Sequence, residues 1–401
     1  MDGATAVDQS GALDATLASG AGGQGSTLAA GGTARTTVLP RVSWTGDAPA
    51  LVSTSRPRFE AQGGLGEGGM GEVVAALDQD IGREVAIKRL RPDVHDSAGV
   101  ARFVDEIRIV GALEHPNIVP IHDVGVDEKG SLYFVMRRVQ GQTLESIIEK
   151  LAAGDPLMHA HWTFERRIHL FRQLLDAVNF AHGRGFVHRD IKPANVMVGH
   201  FGEVFLMDWG IAKPVAAADH ARPKLGAPAQ PERFTATHVG AIVGTPAYMC
   251  PEQARGEPVD VRSDIYSLSM LLYEWLTLKH PLEGQTTLEG VVHAVQHETP
   301  GNPSFVKNEH QPPVPAELGW FVLKGLEKDP AKRYQTVTEM VERLDARDDG
   351  VIPIQCPITL TKSISRRSLR FVDRHPSLFM AMVALGVIAT TGLTVWRLLH
   401  G

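Results

Sequence analysis

The sequence reads as an α+β protein of two lobes, a small β-rich lobe followed by a larger helical one, with one apolar helix near the C-terminus. Three observations lead to this class. Short runs of β-forming residues crowd the stretch from Phe59 to Val139, apolar residues recur at helical spacing beyond Gly141, and Leu378 to Trp396 holds no charged side chain. Composition allows it, since 401 residues, 43% of them hydrophobic, suffice for a large domain with appendages. The formal net charge of -6 gives no reason to expect a nucleic-acid partner. Cys250 and Cys356 are the only cysteines and lie far apart without metal-ligand spacing, which excludes a disulfide-built scaffold and suits a reducing compartment. The N-terminal residues lack the basic start and apolar core of a secretory leader.

Residues 1–55 are rich in Gly, Ala, Ser and Thr and are expected to form a disordered arm, with too few large apolar side chains to offset the entropy of ordering. Trp44 and Leu51 are the side chains there that could dock. Residues 56–347 are expected to form one domain. Its first part carries strands at Glu72 to Leu77, Glu84 to Leu90, Ile118 to Val124 and Leu132 to Val139. Between them lies a helix from Ala98 to Leu113, with Phe103, Ile107, Val110 and Leu113 on one face. Helical periods then run over Thr143 to Leu151, Phe164 to His182, Ser263 to Leu278, Leu288 to His297, Leu318 to Leu326 and Val337 to Leu344. Ile265 to Leu278 is too short to span a membrane and carries Glu274, so it reads as a core helix. A β-rich lobe joined to a helical lobe implies a cleft, a common place for a ligand.

Residues 348–377 read as a basic linker in which Lys362, Arg366, Arg367, Arg370 and Arg374 are opposed nearby only by Asp373. Residues 378–396 are then a transmembrane helix, close to the ~20 residues that cross hydrocarbon, and 397–401 a short tail. The basic excess on its N-terminal side places the large domain in the cytoplasm, as a single-pass membrane protein.

The chemistry-bearing residues fall in the two-lobed stretch. Gly66-x-Gly68-x-x-Gly71-x-Val73 is a weak signal alone, because similar spacings mark dinucleotide folds and ordinary turns. Here β-forming residues flank the glycines on both sides, which fits a hairpin lid whose bare backbone approaches phosphates. Val85-Ala86-Ile87-Lys88 follows one strand later, and its lysine is placed to meet the α- and β-phosphates of the same nucleotide.

With these and the motifs that follow, residues 59–347 resemble the eukaryotic-type (Hanks-type) protein kinases, of the bacterial serine/threonine kind. The resemblance implies the two-lobed protein kinase fold, ATP and Mg2+ (or Mn2+) as cofactors, and protein serine and threonine hydroxyls as substrates. It implies that Lys88 pairs with Glu106, which stands nine residues before His115-Pro116-Asn117. His188-Arg189-Asp190-Ile191-Lys192-Pro193-Ala194-Asn195 matches the catalytic loop at every position. By that match Asp190 accepts the proton of the attacking hydroxyl, Lys192 offsets γ-phosphate charge and marks serine/threonine specificity, and Asn195 holds a metal ion. Asp208-Trp209-Gly210 stands where the family has Asp-Phe-Gly, so Asp208 is implied to bridge metal and phosphates. Trp209, larger than the usual phenylalanine, has to pack under the helix bearing Glu106.

The resemblance also places Leu65, Gly66, Gly68, Gly71, Val73, Ala86, Met136, Val139 and Met197 around the nucleotide, Met136 as gatekeeper and the backbone of Arg137 to Val139 as hinge. Ile211 to Ala247 corresponds to the activation loop, with Thr235 and Thr237 as phosphorylation candidates and Arg189 as a cationic partner for a phosphothreonine. Gly244 to Tyr248 and Cys250-Pro251-Glu252 match the substrate-receiving segment, which suits peptides over small molecules. Glu252 is implied to pair with Arg333, and Asp264 to accept from the catalytic-loop backbone. Such kinases often dimerise back to back through the small lobe. A kinase-like binding module without turnover would be favoured by loss of Lys88, Asp190, Asn195 or Asp208, and all four are present.

Overall fold

A computed structural model describes residues 35–45, 48–52, 55–67, 71–91, 97–210, 213–214, 246–351, 353–363, 372 and 375–400. Thr235, Thr237, Gly68, Gly244 and Thr245 lie outside them. The small lobe is a five-stranded antiparallel sheet in the order β3-β4-β5-β7-β6: β3 Phe59–Glu67, β4 Gly71–Asp78, β5 Arg83–Leu90, β6 Ile121–Val126 and β7 Leu132–Arg137. Alternation sets which face is buried. On one face Phe59, Ala76, Val85, Ile87, Tyr133 and Val135 pack together; on the other Ala86, Leu90, Phe134 and Met136 pack against Phe103 of α1 (Ser97–Ala112). The Phe103 and Phe134 rings lie 5.4 Å apart. β6 starts later than the sequence suggests, because the Ile118 N–H is taken by His115 O in a turn and Pro120 has no N–H to give.

The large lobe is helical: α2 Leu144–Ala152, α3 Pro156–His161, α4 Phe164–Gly183, α5 Pro251–Ala254, α6 Val261–Thr277, α7 Leu288–His297, α8 Ala316–Gly325 and α9 Val337–Asp348. Hydroxyl and carboxylate caps start most of them, Thr143 to Ser146 N, Asp260 to Arg262 N, Thr287 to Gly290 N and Thr336 to Glu339 N. Nearly every residue of α6 is buried, so it is the lobe's central post. A single apolar cluster joins it to α4, α8 and the end of α1 through Ile109, Val110 and Leu113. Short strands run along the interlobe surface, β8 Gly141–Thr143, β9 Phe186–Val187, β10 Val196–Gly199, β11 Val204–Leu206 and β12 Lys213–Pro214. β10 pairs with both β8 and β11.

Three expectations are corrected. Part of the stretch read as a disordered arm is ordered: β1 Arg41–Thr45 and β2 Ala48–Val52 form a hairpin. The residues before it are tied to the small lobe, where Arg35 pairs with Asp123 at 2.8 Å and Asp80 accepts from the backbone N–H groups of Val38 and Leu39. Polar contacts hold this segment, so counting apolar residues missed it. Part of the linker is also fixed to the large lobe, since residues 357–363 are helical, Thr359 and Ser363 are buried, and Lys362 pairs with Glu317 of α8 at 2.9 Å. Finally, the C-terminal helix runs from Pro376 to His400, longer at both ends than 378–396 and continuing through most of the presumed tail. None of its residues from Pro376 to Leu393 is buried, and it is long and apolar enough to cross a membrane.

Candidate active site

The cleft between the lobes holds a pocket of about 230 Å³. Its roof is the β3–β4 hairpin, where Gly66 pairs with Val73 and Glu67 with Glu72. Gly71 is fixed by packing, because a Cβ there would come within 2.5 Å of Arg89 O on β5. A Cβ on Gly66 would meet nothing within 4 Å, so packing among the described residues does not demand glycine at that position. Val73 and Met136 line the pocket and join Ala86, Val139 and Met197 in one apolar cluster with Phe134, while Leu65 lies outside both, 48% exposed. The cluster also takes Val119, Ile121 and Met207, which sequence reasoning passed over. Strand pairing could have found Ile121, the cross-strand partner of Met136; Val119 and Met207 lie outside the strands and left no such signal.

At the back of the pocket β5, α1 and the turn after β11 converge. Lys88 Nζ lies 2.5 Å from Glu106 Oε1 and 3.4 Å from Asp208 Oδ1. Burial disfavours the Lys88 ammonium, but the two carboxylates outweigh it and raise its pKa, so the side chain is a fixed cation. Burial likewise opposes charge on Asp208, yet Lys88, His188 and Lys192 hold its carboxyl below the usual range. The second oxygen of Glu106 is buried without a hydrogen bond among the described residues, so the pairing with Lys88 is what keeps that carboxylate in place.

The floor is the loop from His188 to Asn195. Lys192 Nζ donates to Asp190 Oδ2 at 2.8 Å, and Asn195 Nδ2 donates to Asp190 O at 2.8 Å and Oδ2 at 3.0 Å. Both amide hydrogens of Asn195 are thereby used, leaving its Oδ1 as the atom available to a metal. The loop needs an unusual backbone, with Arg189 left-handed at φ 73°. Asp264, wholly buried at the start of α6, holds it there by accepting from His188 N and Arg189 N, both at 2.8 Å, and from His182 at 2.7 Å. Gln253 Nε2 donates to Arg189 O. Asp208 is left-handed too, at φ 60°, which turns its half-exposed carboxylate to the cleft.

Trp209 is 1% exposed and belongs to the core cluster that includes Ile109 and Val110 of α1. Its ring lies 4.5 Å from that of His188 and its Nε1 donates to Leu206 O at 3.4 Å. In the large lobe, Glu252 and Arg333 form a buried two-pronged pair at 2.8 Å and 2.8 Å, with Ser263 Oγ donating to the same carboxylate. The Cys250 thiol is buried and its pKa raised by that burial, which disfavours thiolate chemistry there.

A divalent cation fits this donor set. Among the described residues no cluster of three or more His, Cys, Asp or Glu could cage a metal. Asp208 and Asn195 instead offer one carboxylate and one amide oxygen, the arrangement by which Mg2+ is shared with phosphates rather than caged by protein.

Comparison with known proteins agrees with the geometry. The protein kinase domain model matches residues 59–343. A probable serine/threonine-protein kinase of Streptomyces coelicolor is 40% identical over 299 residues, 73% of this chain and 40% of that protein. The serine/threonine-protein kinase PknB of Mycobacterium tuberculosis is 38% identical over 308 residues, 76% of this chain and 45% of its own length. PknD of Protochlamydia amoebophila is 36% identical over 295 residues, 71% and 29% respectively. The chain thus spans less than half the length of these curated relatives. Two lobes, a cleft lined as described, and these matches together make the chain a member of the protein kinase domain family, on its bacterial serine/threonine (Hanks-type) branch.

Proposed function

We propose that the protein transfers the γ-phosphoryl group of ATP to serine and threonine hydroxyls of proteins, its own activation segment included, at the cytoplasmic face of a membrane. One observation supports the reading: Lys88, Asp208 and Asn195 line one pocket, and Asp190 is hydrogen-bonded to Asn195 and to Lys192 beside it. Val73, Ala86, Met136, Val139 and Met197 form the apolar wall for the base, with Leu65 at the rim, and the Gly66–Gly71 hairpin covers the phosphates. Lys88, braced by Glu106, orients them. Asp208 and Asn195 hold Mg2+ or Mn2+, which supplies charge neutralisation on the phosphates when bound. Asp190 aligns the incoming hydroxyl and takes its proton, and Lys192 counters charge on the transferred group. The rate gain is one of positioning and preorganised charge, without a covalent enzyme intermediate.

Autophosphorylation at Thr235 or Thr237 is supported from the protein side by Arg189, whose Nε is buried without a hydrogen bond among the described residues. A phosphothreonine would supply that partner. Membrane attachment rests on the exposed apolar C-terminal helix and the basic residues before it. Pairing of two copies through the small lobe rests on the family resemblance alone.

The test is transfer of radiolabelled phosphate from ATP to a general protein substrate and to the enzyme itself, with Asp190→Asn as control. Wild-type turnover that disappears in the folded variant supports the reading. Nucleotide binding without turnover in the wild type would leave a binding module in its place.

A further inference from the structure

The helix over residues 357–363 is amphipathic the wrong way round. It turns Thr359 (0% exposed) and Ser363 (2%) against the large lobe and leaves Ile358 (54%) and Leu360 (40%) outside. Pro357 and Thr361 complete the outer arc, which therefore carries no charge, and Ile354 just before it is 60% exposed. The inward hydroxyl is satisfied locally, with Thr359 Oγ1 accepting from Gln355 N at 2.8 Å and Cys356 N at 2.9 Å. The segment is anchored rather than frayed, because Lys362 pairs with Glu317, which also lies 3.8 Å from Arg347 of α9. Ile358 and Leu360 stand two residues apart, about 160° around the helix axis, so they flank the uncharged arc of Pro357 and Thr361, and with Ile354 they leave an exposed apolar margin on an anchored segment.

We propose that this face lies in the interfacial region of an anionic lipid bilayer and fixes the orientation of the large lobe on the membrane. Two observations favour lipid over a protein partner. Twelve residues lie between Ser363 and Pro376, where the apolar helix begins, so the face lies within about 45 Å of the point of membrane entry even along a fully extended chain. Arg366, Arg367, Arg370 and Arg374 follow Lys362 in sequence against Asp373 alone, a charge excess matched to anionic headgroups. Leucine and isoleucine flanked by basic residues are what an interfacial helix requires.

This docking rests on the transmembrane reading, and one experiment separates the two. The full-length chain with Cys356→Ser carries a nitroxide at Ile358→Cys or, separately, at Val387→Cys in the C-terminal helix, and is embedded in lipid discs containing phosphatidylglycerol. Cys250 is buried and stays unlabelled. Collisions with oxygen report lipid, and collisions with a water-soluble nickel chelate report water. Both labels are expected to favour oxygen, position 387 more strongly. A label in lipid at 387 but in water at 358 overturns the docking and leaves the span intact. Water at both positions removes the span and the docking with it. A label at 358 shielded from both reagents means protein covers this face, and the lipid assignment is wrong.

Discussion

Asp264→Asn is the sharpest test of how the site is held. The wild-type carboxylate accepts two backbone N–H groups at 2.8 Å inside a fully buried setting. Asparagine keeps one acceptor oxygen and points an NH2 group at the other N–H, so one charge-assisted hydrogen bond, worth about 1.5–3 kcal/mol, is lost. That loss is as large as the ~1–2 kcal/mol that holding Arg189 in the left-handed region requires. The strained loop then relaxes, and the fraction in the productive arrangement falls by ~10- to ~150-fold, at ~1.4 kcal/mol per factor of ten. Lys88 and Asp208 do not touch Asp264, so nucleotide affinity is expected to survive. Steady-state phosphate transfer gives kcat and the KM for ATP, and denaturant melts verify folding. A folded variant with kcat within ~3-fold of wild type would show that Asp264 does not hold the loop.

Further expectations follow from the same structure. Two groups contribute strongly to acid loss of stability. Burial lowers the pKa of His280 to about 4, so its contribution is present above the ordinary 6.5 and is lost as pH falls toward 4. Burial opposes charge on Glu252, but Arg333 outweighs it and brings the pKa to about 2, so that share fades between 4.5 and 2. Each amounts to roughly 3 kcal/mol at about 1.4 kcal/mol per pKa unit, and urea midpoints across pH should show His280→Asn reducing the loss between 6.5 and 4 while leaving the loss below it unchanged. Trp209→Phe empties buried volume and drops the bond to Leu206, so stability should fall by about 1–3 kcal/mol in a denaturant melt. Asp208 is untouched by that change, and activity should persist. Gly66→Ala adds a Cβ that meets nothing within 4 Å among the described residues, so its melting temperature should match wild type while the KM for ATP rises; an unchanged KM would mean no ligand approaches the roof there.

Sequence alone carried much of this, for reasons that differ by element. The strands bearing Val73, Ala86 and Met136 read as short, nearly continuous apolar runs because both faces of the sheet are covered, one by the cluster that includes Phe59 and Val135 and the other by Phe103 and the cleft wall. The helix bearing Glu106 repeats at helical spacing because it packs on the sheet through Phe103. α3 was missed because it has six residues and buries none of them, so no periodicity exists to detect. β9 and β12 have two residues each and owe their form to each other. The hairpin at residues 41–52 and the docked stretch around Thr359 were misread for one reason. Polar contacts to distant carboxylates, Asp80, Asp123 and Glu317, hold the segments beside them, and such partners leave no trace in local composition.

Those same flanking contacts bear on where the catalytic unit can be cut. A fragment trimmed to 59–343 removes Arg35, the 38–39 backbone and Arg58 from a patch where Asp78, Asp80 and Asp123 converge. It also strips Arg347 and Lys362 from Glu317. Each end of such a fragment would concentrate negative charge that the intact chain neutralises, on the outer edge of the small lobe and the far side of the large one. Excision at 35 and 363 keeps both sets of counter-ions, and is the boundary pair the fold itself recommends.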